Sequence, residues 1–515
     1  MKGVVAAGHP LTAEAGAEVL REGGNAVDAA VASVLASFAA ESPMTGLGAG
    51  GFMLVHDPSE GSDVLIDFFV QAPGLGGAER TAELVPVDVY FDQTPQTFNI
   101  GPASCGVPGT AAGLAHALER FGTAPLDQLV RPAIDLAWDG TVLNAQQAYV
   151  LQILEPALTR YEECRALYAP DGRTLTEGET FRFPELAEAL ERYGAEGPEP
   201  FYGGEVGAAL ADTVTELGGT LSREDMSAYE VVERPPVRAS FRDIELLTNP
   251  PPSSGGILIA LCLALLERLG EVGIAETVAV MRIAQERRGE RFQEGLYEEG
   301  FAELVLDPSE LDAAATQLRG SLRQGGGPPE DRLGSTTHLT TLDADGMCAS
   351  VTCSNGSGSG LLVPGTGVHL NDMLGEQDLN PHGFHQTKPA RRMPSMMAPT
   401  IVMRGGEVIA GLGSAGSNRI RSAILQTVLR MVIDGMSVAD AVRAPRIHFE
   451  DGAVQAEPGV DEAALKRLER EGIAVARWQR QNLYFGGVQA VARGAEGTLE
   501  GGGDPRRGGA VVLVG

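Results

Sequence analysis

An α+β fold is what this sequence predicts, with helices and antiparallel strands gathered in separate runs. Three observations carry the prediction. At Ser335-Thr336-Thr337-His338-Leu339-Thr340-Thr341-Leu342 the side chains alternate as a strand requires. A turn at Asp343-Ala344-Asp345-Gly346 then returns the chain through a second strand at 347–354. Residues 126–217 read as mainly helical, with loops at 168–178 and 195–204. A further hairpin, 401–404 and 408–411 around Gly405-Gly406, leads through a glycine-rich loop into a helix at about 420–436.

The remaining elements follow in order. Residues 12–22 form a helix stopped by Gly23-Gly24. Asn25 caps a second helix, apolar nearly all round and so buried. Its run 26–40 carries Asp28, which argues for a core helix and against a membrane span. Gly46-Leu47-Gly48-Ala49-Gly50-Gly51 is a tight loop before a strand at 52–56. It suits either an anion or close packing against a neighbouring strand. A strand at 64–69 ends at Gln71-Ala72-Pro73. Val107-Pro108-Gly109-Thr110 turns into a helix at 111–121. Pro250-Pro251-Pro252-Ser253-Ser254-Gly255-Gly256 precedes an apolar helix at 257–269. No His or Lys stands at a recognisable spacing from that Ser pair, which therefore reads as a helix cap.

The totals limit the function. The chain has 515 residues, 43% hydrophobic and 21% charged, as in a globular protein long enough for about three domains. The net charge of −30 argues against nucleic acid and anionic membrane as partners. Cys105, Cys164, Cys262, Cys348 and Cys353 are odd in number and scattered, so neither a disulfide framework nor a zinc site is expected. The opening residues do not read as a signal peptide, and a cytoplasmic location is the expectation. No cofactor or metal is expected. Asp343-x-Asp345-Gly346 lacks the later ligands of a calcium loop, and His382-x-x-His385 lacks companions.

The hairpin carries the chemistry. A connecting loop of two to four residues ending at Gly346 places Thr336 opposite Asn355, Ser354 or Cys353, so the Ser354 hydroxyl lies within one residue of Thr336. A Thr hydroxyl needs a base. Cleavage before Thr336 would supply one, because the new α-amino group has a pKa of about 7.7–8.0. The loose stretch Gln324-Gly325-Gly326-Gly327-Pro328-Pro329-Glu330-Asp331 gives the slack such a cut needs. Gly411-Leu412-Gly413-Ser414-Ala415-Gly416-Ser417-Asn418 stands before a helix, where backbone N–H groups suit a developing oxyanion. Its GxGxxG spacing follows a hairpin and opens no βαβ unit, which argues against a dinucleotide site.

With these motifs in this order, the chain resembles the γ-glutamyltranspeptidase (glutathione hydrolase) family of N-terminal nucleophile hydrolases. The resemblance rests on Glu22-Gly23-Gly24-Asn25-Ala26-Val27-Asp28-Ala29-Ala30, Gly50-Gly51-Phe52, Val107-Pro108-Gly109-Thr110, Pro251-Pro252-Ser253-Ser254-Gly255-Gly256, Thr336-Thr337-His338 and Asp504-Pro505-Arg506. It implies a four-layer αββα sandwich. It also implies a precursor cut between Ser335 and Thr336 into subunits of residues 1–335 and 336–515. Thr336 would be the nucleophile and Ser354 its supporting hydroxyl, with Gly416 and Ser417 as the oxyanion pair. Asn355, Asn371, Glu376 and Ser395 would bind a small γ-glutamyl or related amide, and water or an amino acid or peptide amine would accept the acyl group. Departures gather at the substrate head. The family's carboxylate-gripping Arg falls on Phe69, the family Asn after the supporting hydroxyl falls on Gly356, and the stretch 376–392 is short for a lid. The resemblance therefore leaves open an acyl donor without a free α-carboxylate, as in related glutaryl and cephalosporin acylases, with Arg391 or Arg392 as a replacement cation. A binding protein that keeps the fold without catalysis is the remaining alternative.

Overall fold

The computed structural model describes residues 2–91, 94–320, 336–450, 452–494 and 496–515. The linker 324–331 and the scissile Ser335 lie outside them. Two antiparallel sheets form the centre. The first runs in the order Ala510–Val514, Gly3–Ala7, Thr337–Asp343, Cys348–Ser354, Gly50–Asp57, Ser62–Phe68, Val232–Arg234. The second runs Leu499–Gly503, Gly487–Arg493, Glu407–Ala415, Thr400–Arg404, Ile244–Thr248, Val237–Phe241. Both sheets draw strands from before and after Thr336, so the two parts of the chain are interleaved in one fold.

The sheets pack face to face, with helices on the outer faces. Pro10–Glu22 and Ala26–Ala40 cover the first sheet, and Gly255–Leu269 and Arg419–Val432 cover the second. This is the expected αββα sandwich. Period-two patterning sorts the side chains: Val5 and Ala7 join the core under the first helix pair, while Val4 and Ala6 face the second sheet. Close approach of the sheets depends on glycine. A Cβ on Gly413 would lie 2.2 Å from the His338 ring, and one on Gly411 would lie 2.6 Å from Cys348 Sγ.

Local signals account for the helix starts. Asn25 accepts from the N–H groups of Val27 and Asp28, and Asp28 accepts from the Asn25 N–H, a complete capping box. The buried Asp28 also receives Thr123 N–H (2.9 Å) and Ala124 N–H (3.2 Å), which satisfies a charge inside an otherwise apolar helix. The first helix begins two residues earlier than expected, at Pro10, because His9 caps it and proline is suited to the first position. The expected cap at Ser254 is not made. Ser253 and Ser254 hydroxyls instead donate to the Ser395 carbonyl (2.9 and 3.1 Å), clamping the 395–397 segment to the helix start. The Gly46–Gly51 loop is a packing device: Cβ atoms on Gly48 and Gly51 would meet the carbonyls of His369 (2.1 Å) and Thr352 (2.4 Å). All five cysteines are buried free thiols. Among the described residues no helix is long and apolar enough to cross a membrane.

Candidate active site

Thr337 pairs with Cys353 and His338 with Thr352, a register that continues to Thr336 opposite Ser354. Thr336 therefore stands at the head of a central strand, only 5% exposed, and its hydroxyl donates to Ser354 Oγ at 3.3 Å. Ser354 Oγ also accepts the Gly356 N–H (3.0 Å), which fixes its orientation. The neighbours of Thr336 are anchored on both sides of the sheet. Thr337 Oγ1 donates to the buried Glu41 carboxylate (2.5 Å), which also takes the Thr12 hydroxyl (2.7 Å). His338 bonds Thr352 and Thr340 (2.9 Å each), and burial lowers its pKa to about 3, so it is a neutral packing group. It is therefore unsuited to act as the base for Thr336, two residues away.

The closing motif brings a cation to Thr336. Asp504 accepts the Arg506 N–H (3.0 Å) and pairs with Arg446 (2.7 Å), while Arg506 forms a buried pair with Glu457. This four-charge cluster holds the turn that carries Arg507. Arg507 Nη1 donates to the Thr336 carbonyl (3.3 Å), and its guanidinium lies 3.6 Å from where a Gly416 Cβ would stand. Burial lowers the Arg507 pKa to about 10, so it stays charged near neutrality. Gly416 and Ser417 adopt φ of 120° and 50° between the strand Glu407–Ala415 and the helix Arg419–Val432. Their carbonyls accept from Arg419 and Ile420 N–H (3.0 and 3.1 Å), which starts the helix with its positive end toward this loop. Ser417 Oγ donates to Asp378 (2.8 Å) and ties the loop to the segment after Asn371.

The expected substrate residues divide. Asn355 is buried, gives its amide N–H to the His369 carbonyl (3.1 Å), and has a side-chain oxygen without a hydrogen-bond partner. Asn371 is not turned to a ligand. Its amide donates to the carbonyls of Gly48 (2.8 Å) and Gly106 (3.0 Å) and accepts Gly106 N–H (3.1 Å), so it staples two loops. Ser395 is likewise a seam residue, its hydroxyl accepting the Met397 N–H (3.0 Å). Glu376 joins Asp372 beside Gly356. A Cβ there would lie 1.8 Å from Asp372 Oδ1 and 2.8 Å from Glu376 Oε1, so the carboxylates occupy the space a side chain would need. Burial raises both carboxyls, Asp372 to about 7 against the pull of its hydrogen bonds, and the charges of Asp372 and Asp378 push Glu376 up further.

Of the two arginines expected as a replacement cation, Arg392 is committed elsewhere. Arg392 is buried, paired with Asp67 (3.1 Å), and donates to the carbonyls of Phe69 (2.8 Å) and Glu230 (2.7 Å). Arg391 is exposed and stacks on Tyr297 (4.0 Å) beside a cavity of about 360 Å³. Phe69 is fully buried and stacks on Phe52 (5.2 Å between centroids). The sequence reading missed Arg507, Asp372 and Asp378. Arg507 directly follows the Asp504-Pro505-Arg506 motif, and Asp372 directly follows Asn371, so adjacency to those motifs was the available signal.

A Ser354→Ala change is expected to lower kcat about 10- to 100-fold, since it removes one hydrogen bond to the Thr336 hydroxyl worth roughly 1–3 kcal/mol. Steady-state kinetics at saturating substrate would show it. An unchanged kcat would remove Ser354 from the site.

A buried threonine opening a central strand where two helix-covered antiparallel sheets meet defines the N-terminal nucleophile hydrolases. The gamma-glutamyltranspeptidase family model matches residues 12–514. The chain is 32% identical to the glutathione hydrolase proenzyme of Escherichia coli, over 98% of this chain and 90% of that one. It is also 32% identical to the acylase ACY 1 proenzyme of a Pseudomonas species, over 97% and 91%. The cephalosporin acylase of Bacillus halodurans shares the fold, with a TM-score of 0.85 at 24% identity, covering 99% of this chain and 95% of that one. The chain belongs to the gamma-glutamyltranspeptidase family.

Proposed function

We propose that this enzyme cuts its own chain between Ser335 and Thr336 and then hydrolyses or transfers a γ-glutamyl-type acyl group through a threonyl ester. The observation that carries this reading is the placement of Thr336 Oγ1 against Ser354 Oγ, beside the Gly416–Ser417 loop and with a neutral histidine as its nearest imidazole in sequence. The freed Thr336 amine takes the hydroxyl proton as Oγ1 attacks the acyl carbon. Backbone N–H groups of Gly416 and Ser417 take up the oxyanion charge, and the amine then gives its proton to the leaving nitrogen. Water or a second amine attacks the resulting ester and releases Thr336. The names of the two curated relatives, both proenzymes, support processing.

A second reading, an acylase acting on a glutaryl-type donor, is favoured by one observation: the buried Phe69 leaves no guanidinium at that position. Retention of Thr336, Ser354 and the Gly416 loop speaks against a non-catalytic binding protein.

The test is a denaturing gel of fresh protein with N-terminal sequencing of the smaller band. Scaling 53.9 kDa by 335/515 and 180/515 gives bands near ~35 and ~19 kDa, the smaller beginning Thr-Thr-His. An intact chain that turns over no γ-glutamyl anilide would refute the reading. With the amine as base, kcat/KM is expected to rise with pH through roughly 7.7–8.0 as the amine loses its proton. A pH profile flat from 6 to 9 would assign the base elsewhere.

A further inference from the structure

We propose that Arg507 is a positioning residue for the Thr336 amine: its charge keeps that amine unprotonated near neutrality, so the closing turn of the chain decides the pH at which the base becomes available. The inference rests on the reading of Thr336 as an N-terminal nucleophile and adds what makes its own amine an effective base.

The geometry puts a fixed cation beside the amine. Arg507 Nη1 donates to the Thr336 carbonyl at 3.3 Å. Carbonyl and α-nitrogen belong to one residue, so the guanidinium lies within roughly 7 Å of the amine. Nη1 also reaches Met44 Sδ (4.0 Å), and Nη2 lies 3.6 Å from where a Gly416 Cβ would stand. The head is thus wedged between Thr336 and the Gly416 loop. Its stem is fixed too: it runs over Gly487, where a Cβ would lie 2.4 Å from Arg507 Cδ. The buried pairs of Asp504 with Arg446 and of Arg506 with Glu457 hold the turn beneath it.

The other groups around Thr336 do not cancel this charge. Glu41, after the helix Ala26–Ala40, takes the Thr337 and Thr12 hydroxyls, and burial pushes its carboxyl up toward the neutral acid. Burial pushes Asp372 and Glu376, beside Gly356, the same way. Cys353, opposite Thr337 on the next strand, is a buried thiol held above its usual range. His9 and His338 are kept neutral by burial. Asp378 takes the Ser417 hydroxyl and faces Arg421. Asp504 is matched by Arg446 and Arg506, and Arg419 by Glu450 at 3.6 Å. Arg507 itself stays charged, since burial lowers it only to about 10. The field at the amine is therefore positive and disfavours the ammonium. The burial of Thr336, 5% exposed, acts in the same direction.

The experiment compares processed wild-type enzyme with Arg507→Met and Arg507→Lys. Methionine keeps an unbranched stem without the charge, and lysine keeps the charge without the fork. The Thr336 amine is titrated by competitive acetylation, read by mass spectrometry of the first peptide of the small subunit. In parallel, kcat/KM for γ-glutamyl anilide is followed over roughly pH 5 to 10. In the wild type the amine should titrate at or below about 7.7, the lower end of its ordinary range. Arg507→Met should raise both midpoints by about one pH unit, the effect of one charge at this distance in a half-buried site. Arg507→Lys should stay within about half a unit of the wild type. Midpoints in Arg507→Met equal to those of the wild type would overturn the inference whatever happens to kcat, because a purely structural role lowers the rate without moving them. A loss confined to donors that carry a carboxylate, with the midpoint unmoved, would make Arg507 a substrate cation and overturn it as well. Should the methionine variant fail to fold, the wild-type titration decides, and an amine titrating above about 7.7 overturns the inference. A chain that never cleaves exposes no Thr336 amine and overturns the nucleophile assignment together with the inference.

Discussion

Thr336→Ala is expected to leave one band at the full 53.9 kDa and to retain less than about 10⁻⁴ of the wild-type anilide turnover. Both losses follow from one oxygen. On the proposed mechanism, Thr336 Oγ1 is the atom that attacks the preceding carbonyl in the precursor. On the same mechanism that atom attacks the substrate in the mature enzyme, with the freed amine as its base. Ser354 lies opposite at 3.3 Å but lacks an adjacent amine, so it is not equipped to take over. Thr336→Ser keeps hydroxyl and amine and is expected to process, more slowly. It separates loss of chemistry from loss of fold. Two bands from the alanine variant would place the cleavage chemistry on another residue.

Arg506→Leu is expected to destabilise the fold by about 3–5 kcal/mol, the usual cost of removing one partner from a buried ion pair. Arg506, Glu457 and Asp504 have fully buried side chains, and Arg446 is nearly so. Removing the guanidinium leaves Glu457 without its pair and Asp504 with Arg446 alone. It also loses the bonds that Arg506 gives to the carbonyls of Val442 (3.1 Å) and Ala444 (3.0 Å). The thermal midpoint reads the effect. Arg506→Leu combined with Glu457→Leu should be less harmful than Arg506→Leu alone, because no isolated charge remains. If the double variant is the worse of the two, packing rather than charge dominates. Turnover should fall with stability, because this turn carries Arg507 to the Thr336 carbonyl.

What could be seen in the sequence was local. The capping box needs only Asn25 and Asp28, and the central hairpin needs only alternation and a turn, so its register was narrowed to one residue either side of Ser354. The four layers came from family resemblance, since nothing local reports that Gly3–Ala7 pairs with both Thr337–Asp343 and Ala510–Val514. The sequence reading places no strand at Ile244–Thr248 or Gly487–Arg493, although both lie within the second sheet. Glycine weakens the strand signal in the closing region, and the partners are far away in sequence. The site followed the same rule. Thr336 and Ser354 share a hairpin and were found together. Asn371 looked like a ligand by position, but its hydrogen-bond partners Gly48 and Gly106 are more than 260 residues away. Arg507 reaches Thr336 across 171 residues, beyond any local pattern.

The burial of Phe69 has a consequence for evolution and for engineering. An arginine placed at this position by substitution would find no site prepared for it. The new guanidinium would enter an apolar seam beside Phe52, Val70 and Met393, next to an Asp67 already paired with both Arg234 and Arg392. The lone substitution Phe69→Arg is therefore a dead end. A lineage or a mutant library moving toward α-carboxylate donors would have to rebuild the seam first and add the cation second. The intermediate would be poorer than either end. Library positions are better placed among Asp372, Glu376 and their neighbours, whose polar groups stand against Gly356, next in the chain but one to Ser354.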